Sequence, residues 1–256
     1  MLVLLSCAKT MSAVSKVKVP LTTSPRFQKE AAEIALQMSQ FSVDELERLL
    51  RVNAKIAVEN YKRYQAFHAE ATPELPALLA YTGIVFKRLN PKDFSAEDFG
   101  YAQEHLRLTS FCYGLLRPLD VIRAYRLEGD VVLPELGNQT LFSYWRSRLT
   151  DTFIEDIRSA GGILCNLASD EMKSLFDWKR VESEVRVVTP EFHVWKNGKL
   201  ATIVVYTKMS RGEMTRFILK NKIGNPEELK GFSWEGFEFD ESLSDERKLA
   251  FINGMG

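Results

Sequence analysis

The chain of 256 residues has only three cysteines, Cys7, Cys112 and Cys165, and no Cys-x-x-Cys pair. An odd, widely spaced set excludes a disulfide framework and fits a reducing compartment. The three histidines, His68, His105 and His193, are far apart, and none has a second ligand at metal spacing. No zinc site is legible, and neither a metal nor another cofactor is expected. With 14 glycines and 9 prolines the chain has too few of either for a fibrous or linker-rich protein. No apolar run approaches the ~18 residues of a membrane span. Neither sign of charge dominates, because 34 basic and 34 acidic residues cancel. That balance excludes a uniformly basic nucleic-acid coat and leaves local patches open. The glycine-rich fingerprints of dinucleotide and P-loop sites, the Gly-x-Ser-x-Gly elbow and the His-Glu-x-x-His zinc helix are also missing.

What is present is an ordinary globular composition, 45% hydrophobic and 27% charged, long enough for one large domain over 1–256. Leu4-Leu5-Ser6-Cys7 looks like a lipoprotein cleavage box. Only Leu2 to Leu5 precede the small residues, however, and no basic residue comes before Lys9. Met1–Leu5 therefore reads as a buried strand, and a cytoplasmic protein without a membrane partner is expected. Charge is unevenly distributed along the chain. Residues 1–29 carry five bases and no acid, 208–222 carry five bases against Glu213, and 223–256 hold eight acids against three bases.

Periodicity and turn chemistry predict a mixed α/β (α+β) domain, its sheet flanked by helices. After a polar loop over 10–24, Ser24-Pro25 opens a helix with Phe27, Ala31, Ile34 and Met38 on one stripe. Ser42 and Glu45 form a capping box for a long helix reaching about residue 67. Leu78–Tyr81 reads as a strand, and Ser95 with Asp98 caps a helix running toward Leu108. A helix over Thr140 to Ala160 stops at Gly161-Gly162. Ile163–Leu167, Val185–Val188, Phe192–Trp195 and Leu200–Tyr206 read as strands, with Asn197-Gly198 as a hairpin turn. Lys208–Lys222 returns to helix, and Asn225-Pro226 with Glu228 starts a short one.

The stretch Ala102–Gly129 gathers Arg107, Arg117, Arg123 and Arg126 with Tyr113 and Tyr125. Arginine forks bind phosphate, and aromatic faces support stacked bases. Equally, these arginines can pair with Asp120 and Glu128 inside the fold. Lys208, Arg211 and Arg216 form a second cluster on the predicted helix, where a solvated face would look the same. Lys9 follows the first strand, a place where α/β sheets put ligand groups.

Several blocks recur together in a known order: MLVLLSCAKT, YTG at 81–83, DFGYAQEHLRLTSFCYGLLRPLDVIRAYRLEG at 98–129, NLASDE at 166–171, KMSRGEMTRFI at 208–218 and FSWEGFEFDE at 232–241. They resemble the signature blocks of the YaaA family of peroxide stress proteins. The resemblance implies a bacterial protein that limits free intracellular iron and oxidative DNA damage. It also implies a family-specific mixed fold with a positively charged cleft and a helix–hairpin–helix-like element, and binding to duplex or branched DNA without sequence preference. Carried over residue by residue, the nucleic-acid contacts would be Lys9, Arg107, Tyr113, Gly114, Arg117, Arg126, Lys208, Arg211 and Arg216. The chain departs from the family pattern at Cys7, a usual proline, at Phe111, a usual glycine in the hairpin turn, and at Met172, a usual tyrosine.

Three functional classes follow: a DNA-shielding binding protein, an enzyme on a phosphorylated or damaged nucleic-acid substrate in the same cleft, or direct iron or peroxide chemistry. No nucleophile–base pair is legible, which favours binding over catalysis. The cysteines lie in apolar segments and read as packing residues.

Overall fold

The computed structural model describes residues 1–196 and 198–254. Its first element is the expected strand β1 (Leu2–Leu5), whose four side chains are all buried. A continuous apolar run marks a strand covered on both faces. After the polar loop come α1 (Gln28–Met38), α2 (Val43–Leu50) and α3 (Ala54–Ala66). The capping box at Ser42 and Glu45 is present, but the predicted long helix is two. Arg51 adopts a left-handed conformation, φ 52°, and the Asn53 side chain accepts from the Ile56 amide to start α3.

A short strand β2 (Leu75–Pro76) leads into α4 (Ala77–Ala80), where a strand was expected. All four α4 residues are buried, so apolar runs of this kind carry no period to separate the two geometries. Helices α5 (Ile84–Leu89) and α6 (Ala96–His105) follow. The predicted helix toward Leu108 ends at His105, and Leu106–Ser110 is β3, buried at every position. A turn then joins β3 to the antiparallel β4 (Gly114–Leu116). The Ser110–Gly114 turn thus links two strands, and no helix–hairpin–helix is formed there. Strand β5 (Val121–Ile122) pairs with β2, and β6 (Val132–Leu133) with β7 (Gln139–Thr140).

Thr140 caps α7 (Leu141–Ser159), which ends before Gly161 and Gly162, both at positive φ as glycine permits. The chain continues through β8 (Ile163–Asn166), α8 (Asp170–Lys173) and α9 (Trp178–Glu184) to β9 (Arg186–Lys196). The two strands predicted over 185–195 are one, running through Pro190. The Thr189 amide donates toward Arg247, so the next nitrogen, that of Pro190, points to the opposite edge, where no strand of the described residues pairs. Proline is tolerated there because no ladder bond is lost. Asn197 of the predicted turn lies outside the described residues. The strands flanking it, β9 and β10 (Lys199–Ala201), pair antiparallel. The strand expected to reach Tyr206 stops at Ala201, and α10 (Val204–Asn221) begins with Val204 and Val205 exposed. The last strands, β11 (Phe237–Asp240) and β12 (Lys248–Asn253), had no sequence counterpart.

Among the described residues the main sheet has eight strands, ordered β11-β12-β9-β8-β1-β3-β4, with β10 on the open edge of β9. β1 lies at its centre, parallel to β3 on one side and to β8 on the other. The chain therefore winds outward in both directions from β1. In open α/β sheets the crevice at the carboxyl ends of such strands is where ligands bind.

Candidate functional site

At the carboxyl end of β1 the chain turns through Ser6, Cys7, Ala8 and Lys9. Ser6 Oγ accepts from the Ser169 amide at 2.9 Å, which ties this turn to the segment leaving β8. The Cys7 amide donates to Thr109 Oγ1 of β3 at 3.2 Å. Gly83 lets the start of α5 approach, since a Cβ there would stand 2.9 Å from the Ala8 Cβ. These contacts enclose a cleft of about 330 Å³. Its walls are the turn after β1, the start of α5, the segment after β8, residues 125–127 and the face of α10 bearing Lys208 and Arg211. Lys208 and Arg211 are three apart on that helix and so share a face.

Four cations therefore line the cleft, Lys9, Arg126, Lys208 and Arg211, against Glu171. Behind them Glu128 is 5% exposed. Its Oε2 receives Lys9 Nζ at 2.7 Å, and Arg126 Nη2 lies 3.6 Å from Oε1. Tyr64 donates its hydroxyl to the Arg126 carbonyl at 2.6 Å, which fixes the backbone carrying that guanidinium. Nε of Arg126, Nε of Arg211 and Oε1 of Glu128 are buried without a hydrogen-bond partner. Burial also pushes the Arg211 guanidinium below its ordinary value, with Asp170 opposing. Buried donors of this kind cost roughly 1–3 kcal/mol each when unpaired.

Of the nine side chains or turns expected to contact nucleic acid, these four are brought together. The other five are not. Arg107 is 8% exposed and donates through Nε to Asp156 Oδ2 at 2.7 Å, with Nη1 on the carbonyls of Gln103 and Leu106. Arg117 pairs with the buried Asp120 at 2.9 Å. Tyr113 is buried and accepts from the Arg123 amide. Gly114, at φ 70°, lets β4 lie on Trp145, where a Cβ would stand 2.7 Å from the indole ring. Arg216 donates to Asp93 Oδ1 at 2.8 Å.

Beside Arg216, Lys220 and Lys222 grip Asp98 at 2.7 and 2.8 Å. Burial alone would raise the Asp98 carboxyl, but the two ammonium groups and the Ser95 cap outweigh it and hold it below its ordinary value of 3.8. The folded state consequently binds fewer protons there than the unfolded chain. The stabilisation is complete above about pH 5 and fades as pH falls below about 4 toward the folded value. In Asp98→Asn the decline in urea-unfolding free energy between pH 5 and pH 3 should be shallower than in the parent chain. An equally steep decline would show that Asp98 does not drive it.

The structure adds two features that sequence reading missed. β8 covers β9 at 186–188 and β10 covers it at 194–196, so residues 189–193 face a recess of about 830 Å³. That recess carries mixed charge and meets the cleft at Arg211, which lines both. On the other side of the cleft, across Phe86, lies a groove of about 930 Å³ lined by Lys16, Lys18, Lys87 and Lys92 and by no acid. All four lysines are exposed, and none forms an ion pair among the described residues.

Comparison with known proteins leads to the same family as the ordered blocks. The family profile described as "Peroxide stress protein YaaA" matches residues 1–243. The chain belongs to the YaaA family of peroxide stress proteins. It is 99% identical over 256 residues to a UPF0246 protein of Bacteroides thetaiotaomicron, with both chains covered in full. It is 78% identical over 254 residues to one from Bacteroides fragilis, 99% of each chain. A UPF0246 protein of Crocosphaera subtropica is 37% identical over 253 residues, 98% of this chain and 100% of its own. The family blocks fall on the cleft at Lys9, Ser169, Lys208 and Arg211, and at Arg126 with Glu128 behind it. They fall equally on the internal braces at Arg107, Arg117 and Arg216. A family motif here therefore mixes residues that shape the domain with residues that face solvent. The cysteines divide too. Cys112 and Cys165 are buried, whereas Cys7 lines the cleft, its thiol pushed up to about 12 by burial. No helix among the described residues is long and apolar enough to cross a membrane.

Proposed function

We propose that this peroxide stress protein acts by binding DNA without sequence preference, shielding the backbone against iron-driven oxidation. The acid-free groove of Lys16, Lys18, Lys87 and Lys92 carries the reading. Four unpaired ammonium groups offer point charges at which backbone phosphates gain, and the neighbouring Asp93 is taken up by Arg216. The aromatic residues of the groove, Tyr81, Phe86 and Phe94, are buried, so no platform for base stacking is offered, and contact is with phosphate alone. Lysines seated on phosphates release condensed cations from the backbone. Ferrous ions held there by the same attraction would be displaced with them, which lowers the iron available to peroxide at the DNA.

The expected result is a DNA affinity that falls steeply with salt and differs little between sequences. Replacing all four groove lysines with alanine should flatten the salt slope by about 0.9 per lost duplex contact, about 3–4 in total, and leave thermal unfolding unchanged because the side chains are exposed. Electrophoretic titration of duplex and junction DNA at several salt concentrations measures both. A folded quadruple variant with the parental affinity and slope overturns the reading.

A further inference from the structure

We infer that the cleft at the carboxyl ends of β1 and β8 is a discrete site for a phosphomonoester of nucleotide size, separate from the lysine groove. Charge selects the ligand class. Lys9, Arg126, Lys208 and Arg211 face Glu128 and Glu171, and Asp170 beside Arg211 is neutralised by Lys173 at 2.8 Å, which leaves a surplus of two positive charges. A phosphomonoester carries about −1.5 to −2 at neutral pH and neutralises that surplus. A phosphodiester or a monocarboxylate carries one negative charge and leaves one cation uncompensated.

Hydrogen bonding points the same way. The buried Nε atoms of Arg126 and Arg211 have no acceptor in the fold, and both side chains line the cleft. A phosphate group presents several oxygens to such guanidinium donors at once. Size and lining supply the remainder of the ligand. The volume of about 330 Å³ sits at the lower end of small-molecule sites, roughly 300–1,000 Å³. It exceeds the needs of a phosphate ion and is too small for a duplex. Ile84, Val85, Phe86, Phe111 and Met172 form an apolar wall beside the cations, suited to a sugar or base ring. The site also lies where the chain winds outward on both sides of β1, the usual place for a ligand in such a sheet.

The same chemistry is found in a free nucleoside monophosphate and at a 5′-phosphorylated strand end. The test is isothermal titration of the full chain with dAMP, with inorganic phosphate, and with one oligonucleotide bearing either a 5′-phosphate or a 5′-hydroxyl. Binding of dAMP, or a preference of tenfold or more for the 5′-phosphorylated oligonucleotide, is the expected result, and the two arms identify the source. Arg211→Gln should weaken that binding by tenfold or more. Lys208→Ala, at an exposed position that cannot affect folding, should weaken it several-fold. Glu128→Gln should tighten inorganic phosphate several-fold by removing the negative charge behind Lys9 and Arg126. The lysine-groove variant should retain dAMP binding. No binding of dAMP and no 5′-phosphate preference overturns the inference, as does binding that Lys208→Ala and Glu128→Gln leave unchanged. DNA binding that persists in that case leaves the DNA reading intact. Mononucleotide binding without any salt-dependent DNA binding overturns only the DNA reading.

Discussion

Asp120→Ala is expected to lower the unfolding free energy by about 3–5 kcal/mol, the cost of losing three charge-assisted hydrogen bonds at a buried carboxylate. Asp120 is 1% exposed. Its Oδ1 accepts from Thr23 Oγ1 at 2.6 Å and from Arg117 Nη2 at 2.9 Å, and its Oδ2 accepts from the Arg117 amide at 2.8 Å. The carboxylate thereby joins the N-terminal loop, whose Thr23 bridges to it in parallel, to the turn after β4. Truncation leaves the Arg117 amide without its partner, while the part-exposed guanidinium keeps only the Ser24 carbonyl. For a chain of this size the melting temperature should fall by about 6–20 °C. Arg117→Ala removes less, because Asp120 keeps Thr23 and the residue 117 amide. A loss of about 2 kcal/mol is expected there, with an unchanged salt slope for DNA. A stable, folded Arg117→Ala with a flattened slope would instead make Arg117 a phosphate contact. Thermal and urea unfolding, followed by DNA titration of the folded variants, separates the two.

Gly212→Ala should destabilise the fold by about 1–3 kcal/mol although it lies in the middle of a helix. On propensity alone alanine would gain about 1 kcal/mol there. Packing reverses the sign. A Cβ on residue 212 would collide with the carbonyl oxygen of Val85 and stand 2.8 Å from the Arg88 Cβ. A backbone oxygen inside a helix cannot step aside as a flexible side chain can, so α10 must move away from α5. Those two helices carry opposite walls of the cleft, Ile84 to Phe86 on one and Lys208 with Arg211 on the other. The variant should consequently lose ligand affinity at the cleft together with stability. An alanine variant as stable as the parent would show that the helices have room to spare.

Some of this was legible without the fold. A five-residue apolar start read as a buried strand, and β1 is one, covered on both faces. Ser42, Ser95 and Thr140 announce helices because a side-chain oxygen satisfies free amides locally, and all three caps form. Asn53 carried the same signal for the start of α3, overlooked because the apolar stripe runs on through residue 67. These are short-range effects, and the sequence alone settles them. It also settled the family, through ordered blocks spread over the whole chain.

What the sequence could not decide was the partner of each charge. Arg107 finds Asp156 forty-nine residues on, and Arg216 finds Asp93 at a separation of 123. No local pattern encodes such distances. Even for Arg117 and Asp120, three residues apart, internal pairing and phosphate contact stayed equally open until Asp120 proved buried. The groove of Lys16, Lys18, Lys87 and Lys92 joins the acid-free N-terminal stretch to a distant one about seventy residues on, brought side by side when Met11 bridges to Tyr81. Helix and strand boundaries failed where a fully buried run had no period, at Leu78–Tyr81, or where a proline faced an open edge and interrupted no ladder, at Pro190. Whether an arginine braces the fold or faces a ligand depends on which acid the tertiary structure carries to it, because the energy of a charge is set by its surroundings in space.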